Sequence, residues 1–209
     1  MAKNDDKQKR DAEIAAALLL LIRRANHTVH LALLGAAARS KLAALPNAQA
    51  EVSDAVEAAV GAARARARAY GVEAFEKQTG KRLPAGAPGS SEEVADSLAE
   101  QWAARAEGLE DVEASAARVV AAKDLEWAAT RTATTETLQA FNDQSREAFD
   151  ALFSRGVQLV RIWNSALEIN TCRLCMGLHG EHADALGEFP QGDPQLHSNC
   201  LCWVSVELL

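Results

Sequence analysis

Between Asp6 and Leu45 the apolar residues Ile14, Leu18, Leu21/Ile22, Ala25, Val29 and Leu33 recur at three- and four-residue intervals, with Gly35 the one helix-weakening residue and Pro46 closing the run. That period predicts a long amphipathic helix. A second stripe (Val52, Val56, Val60, Ala63, Ala67, Tyr70, Ala74) begins after Asn47, a candidate cap, and stops at Thr79-Gly80. It predicts another long helix, antiparallel to the first. Residues 80–91 (GKRLPAGAPGSS) concentrate Pro, Gly and Ser and read as an exposed loop or linker, with Ser90 and Glu93 spaced as a capping box. A short acidic helix follows over Glu92–Arg105, and after Gly108 a longer one from Glu110 to about Arg155, burying Val112, Val119, Leu125, Leu138, Phe141, Phe149 and Leu152. Past Gly156 the period changes to an alternation through Leu159, Arg161 and Trp163, and Leu201–Val206 is a second β-prone run. The expected organisation is a helical hairpin over 1–79, a loop over 80–91, a helical region over 92–155 and a small mixed or β-rich module over 156–209.

Composition sharpens that division. Of 44 alanines in 209 residues, 40 precede residue 151, whereas all four cysteines lie between Cys172 and Cys202. Alanine favours helix and close helix approach but buries little apolar surface, so a thick core is not expected in the first 150 residues. Such helices pack on each other or become rigid on a partner surface. The net charge of −7 divides as 19 Lys/Arg against 23 Asp/Glu before residue 151 and 3 against 6 after it. Neither part has the basic excess needed to wrap nucleic acid. The longest apolar run, Ile14–Ile22, is short for a membrane span, and the acidic residues Asp5, Asp6, Asp11 and Glu13 do not suit a signal peptide. These patterns point to a chain that folds in a reducing cytoplasm, without a membrane contact.

The chemistry lies in Cys172-Arg-Leu-Cys175 and His197-Ser-Asn-Cys200-Leu-Cys202. Tetrahedral zinc takes four ligands, and a C-x2-C turn grips a metal with two thiolates while the second segment returns the others. The leading set is Cys172, Cys175, His197 and Cys200; Cys202 in place of His197 gives a four-cysteine site. Two disulfides, or four thiols packed as small hydrophobes, are the alternatives. A structural zinc would supply stability that a module this small lacks. The expected fold class is therefore mainly α: long Ala-rich antiparallel helices followed by a small α+β zinc-stabilised module. His179 and His182 sit in a glycine-flanked turn and rank below His197 as ligands. Trp163 and Trp203 flank the cluster and are expected to cover it.

Trp163, Glu168-Ile-Asn-Thr171-Cys172-x-x-Cys175, Leu178-x-Gly180, Phe189 and Pro194-x-x-His197-x-Asn199-Cys200-x-Cys202 together resemble the C-terminal signature of the phage Mu F-protein-like minor head proteins, a head morphogenesis family. The upstream Thr135-Glu136 resembles a pair that often precedes it, and the match covers about residues 131–207. Departures are Glu168 for the usual Asp, Gln195 and Ser198 for prolines, and Leu201 for Arg; none removes a candidate ligand. The resemblance implies a minor virion component at the portal vertex, acting in head assembly, DNA retention or ejection, with no catalysis and no small-molecule substrate. Its implied partners are the portal protein and other head or connector proteins, with at most weak contact to packaged DNA.

Two other functions compete with this reading. A metal-dependent nuclease or toxin domain would need a general-base histidine beside a catalytic cation, and no His-Asn-His arrangement occurs near Cys172–Cys202. A zinc-ribbon nucleic-acid module would need positive charge, yet residues 163–209 carry Arg173 alone against six acidic residues. Glu168 with Asp193 or Glu181 reads as solvated surface in preference to a carboxylate pair. Arg64, Arg66 and Arg68 read as a solvated helix edge, with contact to DNA or an acidic portal surface as the minority reading.

Overall fold

The computed structural model describes residues 2–40, 43–87, 89–109, 113–166, 171–194 and 200–209, with backbone alone for 2–5 and 115. Helices α1 (Ala2–Arg39) and α2 (Leu45–Thr79) form the expected antiparallel hairpin. The N-terminal half of α1 packs Ile14, Leu18 and Ile22 near Ala67 and Ala74, while its C-terminal half meets Val52, Val56 and Val60. Pro46 opens α2 instead of separating it from α1. Its fixed φ and missing N–H suit the first turn, so Asn47 lies inside the helix and Ala44 occupies the cap position.

Helix α3 (Glu92–Glu107) lies on α2, where Ser53 Oγ donates to Asp96 (2.5 Å) and Ser91 Oγ to the Glu57 carbonyl (3.2 Å). The Ser90/Glu93 capping box does not form: Ser91 is the cap residue, and its hydroxyl is turned to α2. The long helix expected from Glu110 is two helices, α4 (Ala114–Asp124) and α5 (Glu126–Phe153), broken at Leu125 with no Gly or Pro present. Packing overrides propensity there. Leu125 is buried in the main core, α4 is tied to α3 by the Trp102 indole N–H on the Arg118 carbonyl (2.9 Å), and α5 runs along α1 and α2. Val119 is only partly buried, and Val112 lies outside the described residues.

Residues from α1 to α5 share one core in which alanines outnumber every other type, so the alanine faces pack on one another within the chain. Close approach is built in. A Cβ on Gly71 of α2 would stand 2.9 Å from Gln144 of α5. Near this crossing Arg64 and Arg68, four residues apart and hence on one face of α2, are buried against α5 in ion pairs with Glu136 and Glu147. This corrects the solvated edge expected for the three arginines; only Arg66 points outward. Gly86, within the 80–91 loop, is fastened across the same pair of helices. Arg68 Nε donates to the Gly86 carbonyl (3.1 Å), and the Gly86 N–H donates to Gln144 Oε1 (2.8 Å).

The C-terminal part contains β1 (Leu159–Asn164), α6 (Arg173–Leu178) and β2 (Trp203–Leu208). The strands pair antiparallel, with Trp163 opposite Val204 and Asn164 opposite Trp203. Both edges of this ribbon are occupied. Along β1, the Trp163 N–H donates to the Glu181 carbonyl and the Trp163 carbonyl accepts from Gly180, both at 2.8 Å, while Ala183 N–H donates to Arg161 (2.9 Å). Along β2, helix side chains replace a neighbouring strand: Asn142 accepts from Val204 N–H (3.1 Å) and donates to the Cys202 carbonyl (3.3 Å). Ser145 Oγ donates to the Val204 carbonyl (3.2 Å), and Gln78 accepts from Val206 N–H (3.1 Å). An edge that would otherwise offer unpaired backbone groups is thereby closed, and the sheet is anchored to α5 and α2.

Candidate metal centre

The cysteines are delivered by two short segments whose geometry follows from these anchors. Cys172 caps α6, and its Sγ accepts the Cys175 backbone N–H at 3.3 Å, the turn expected of a C-x2-C grip. Cys200 and Cys202 immediately precede β2, and the Asn142 bond to the Cys202 carbonyl holds that approach. Cys202 was expected inside the second β-prone run; the strand begins only at Trp203.

The sulfurs of Cys175, Cys200 and Cys202 lie within 4.8 Å of one another, and all three residues are buried. Cys175 Sγ and Cys200 Sγ are 3.7 Å apart, far beyond a disulfide bond, and no disulfide occurs among the described residues. Metal–sulfur bonds of about 2.3 Å in a tetrahedron put neighbouring sulfurs roughly 3.8 Å apart, so this spacing fits an edge of a metal thiolate site. The three buried cysteines could therefore bind a metal ion. Burial pushes the Cys175 thiol up to about 12, with a hydrogen bond to Cys172 adding to it. The Cys202 thiol is pushed up by its hydrogen bond with Cys200 and then by burial. Without a cation these thiols hold their protons at neutral pH; a bound divalent ion reverses that preference by stabilising the thiolates.

Trp163 and Phe189 close over the cluster in a T-shaped pair with ring centroids 5.4 Å apart, joined by Val204 and the partly buried Leu178 and Ala183. Trp203 does not share this role. Strand alternation sends it to the opposite face of β2, where it meets Phe141 of α5 at 6.2 Å. His197 lies outside the described residues, as do Glu168 and Asn199. His179 and His182 are exposed and stand outside the sulfur cluster: His179 Nδ1 accepts the Ser165 N–H (3.2 Å), and His182 bridges to Ile162. Asp193 and Glu181 are not paired with each other. Asp193 accepts two bonds from Arg161 (2.8 and 2.9 Å), and Glu181 accepts from Gln191 (2.8 Å).

Two supporting residues went unread in the sequence. Arg161 is wholly buried beneath Phe189, bonded to Asp193 and to the Gly187 carbonyl (2.7 Å), so it ties the loop beyond α6 to β1. Its signal was a charged residue on the buried face of an otherwise apolar strand. Asn142 had no local signal, because its partners are 60 and 62 residues away. Asn142→Ala leaves a buried N–H and a buried carbonyl of the Cys202–Val204 segment without their partner, an expected loss of ~2–4 kcal/mol. Denaturant unfolding checks this; a midpoint equal to wild type would mean that water replaces the amide at no cost.

Compared with known protein families, with curated proteins and with solved structures, the chain has no match. Among the described residues no helix is long and apolar enough to cross a membrane.

Proposed function

We propose that this chain is a structural minor head protein of a tailed bacteriophage, assembled in the host cytoplasm and located at the portal vertex of the virion. There it would serve head assembly, DNA retention or ejection, with zinc holding its C-terminal module. The observation that carries the reading is the ordered signature from Trp163 to Cys202. Its supporting feature is that signature residues distant in sequence meet in one small unit: Trp163, Leu178 and Phe189 pack around Cys175, Cys200 and Cys202. Gly180 adopts φ +84° and donates to the Trp163 carbonyl, a conformation that favours glycine.

Zinc suits a buried all-thiolate donor set; Cys172, at the same turn as Cys175 but outside the group of three mutually close sulfurs, is one candidate for the fourth ligand and His197 the other. A fourth protein ligand would leave no open coordination position, which makes the metal's role structural, and the reading includes no catalysis. The acidic C-terminal module suits contact with portal and connector proteins better than contact with DNA.

Mass spectrometry of purified particles should find the chain in few copies, and its gene should stand among portal, scaffold and capsid genes. Absence from particles would sink the virion assignment. Elemental analysis of the purified protein should return about one zinc per chain. A chain without metal after purification under reducing, chelator-free conditions would remove the zinc and leave the head-protein reading to the particles.

A further inference from the structure

We propose that Trp163 is a positioning residue of the metal centre, its indole N–H donating to the Cys202 thiolate when metal is bound. The inference rests on the metal reading above and extends it to a residue that contributes no metal bond.

Trp163 is wholly buried, and its Nε1 has no hydrogen-bond acceptor among the described residues. The indole N–H is a donor only, so a buried one without an acceptor calls for explanation. Strand register shows where it can find one. Trp163 stands opposite Val204, and paired residues of antiparallel strands project from the same face. Cys202, two residues before Val204, continues that face where the chain approaches β2, placing its sulfur on the diagonal from Trp163, within reach of a long aromatic side chain. Both groups belong to the same buried cluster, and Asn142 fixes the Cys202 carbonyl.

A neutral thiol is a weak acceptor, which fits an N–H left unmet, whereas a metal-bound thiolate keeps electron density for a donor. Charge adds a reason. Four thiolates around a dication leave a net double negative charge, and of the basic residues in β1 and beyond, Arg161 is already paired with Asp193, which leaves Arg173. N–H donors then carry the compensation: the Cys175 amide on Cys172 Sγ is one, and the Trp163 indole is the second. If the ring were only an apolar lid over the cluster, phenylalanine would replace it without consequence for the metal.

The test compares full-length wild type with Trp163→Phe, which keeps an aromatic ring against Phe189 and deletes the N–H. Zinc affinity, measured by competition with a chromophoric chelator, should fall about tenfold, the lower end of the effect of removing a hydrogen-bonding support from a metal ligand. In the cobalt-loaded proteins the thiolate-to-cobalt charge-transfer band should move to lower energy, because a sulfur without its hydrogen bond is a stronger electron donor. Affinity within twofold of wild type together with an unmoved band overturns the proposal. Should the variant fail to fold, wild type loaded with cadmium-113 decides. A scalar coupling between the metal and the Trp163 indole proton supports the bond, and its absence from a protein whose cadmium signal lies in the thiolate range overturns it. Wild type that takes up neither zinc, cobalt nor cadmium defeats the metal reading itself, a result distinct from either of these.

Discussion

With the proposed zinc site, a chain carrying Cys200→Ser is expected to lose the metal and, with it, the amide protection of β1 and β2, while α1, α2 and α5 stay folded. Cys200 is wholly buried with its sulfur 3.7 Å from that of Cys175, so a serine hydroxyl there can neither ligate well nor reach water. The apolar groups around it are few, Trp163, Phe189 and Val204 being the large ones, and they cannot by themselves order a module of this length. Structural zinc contributes about 10–16 kcal/mol in small finger domains. Here the clamps from Asn142, Ser145 and Gln78 share the work of holding β2, so the metal's part is smaller than in a finger and the expected loss is above about 4 kcal/mol, the exceptional end for one substitution. Hydrogen exchange read by mass spectrometry checks it. Wild type treated with a strong chelator should reproduce the variant, and the variant should be indifferent to the chelator. Protection of 159–164 and 203–208 that survives chelation in wild type would show that metal does not hold the module.

Glu136→Ala is expected to cost roughly 3–5 kcal/mol, because it removes the carboxylate that pairs with the buried Arg64 guanidinium in the interface between α2 and α5. Both partners are less than a tenth exposed, so solvent screening offers little relief. Asp143, 4.0 Å from Arg64, is a partial substitute whose carboxyl burial holds above the usual range, which places the expected loss near the lower figure. Replacing both partners, Arg64→Leu with Glu136→Leu, should recover most of the stability, since a desolvated ion pair gains little over apolar groups of similar size. Urea unfolding of the two variants measures the difference. A single variant within 1 kcal/mol of wild type would mean that the pair is solvated in solution. What the pair adds beyond energy is alignment. Alanine faces fit together nearly as well after a slip of one turn, ~5.4 Å, whereas such a slip separates Arg64 from Glu136 and Arg68 from Glu147 at once.

The helices were legible because their stripes are long and strictly periodic: Ile14 to Leu33 and Val52 to Ala74 name the buried faces of α1 and α2 almost residue for residue. Boundaries decided by tertiary contacts were not. Nothing local marks the break at Leu125, and Pro46 serves equally to end one helix or to begin the next. The cysteine cluster was legible from type and spacing, since few arrangements other than a metal grip or disulfides bring two short Cys segments together. Its supports were not, because Asn142, Ser145 and Gln78 act through partners 59 to 128 positions away. The buried arginines misled for a related reason. A charge looks solvated until its partner is known, and Glu136 and Glu147 lie 72 and 79 residues from theirs.

An interior built mainly of methyl groups also governs how stability responds to temperature. Unfolding it exposes less apolar area per residue than unfolding a leucine- and phenylalanine-rich core, and apolar exposure is what raises the heat capacity of the unfolded chain. The heat-capacity increment of the helical part therefore falls below the usual ~12–15 cal/mol/K per residue. A smaller increment flattens the curve of free energy against temperature, so the bundle holds a modest stability over a wide thermal range in place of a high maximum over a narrow one.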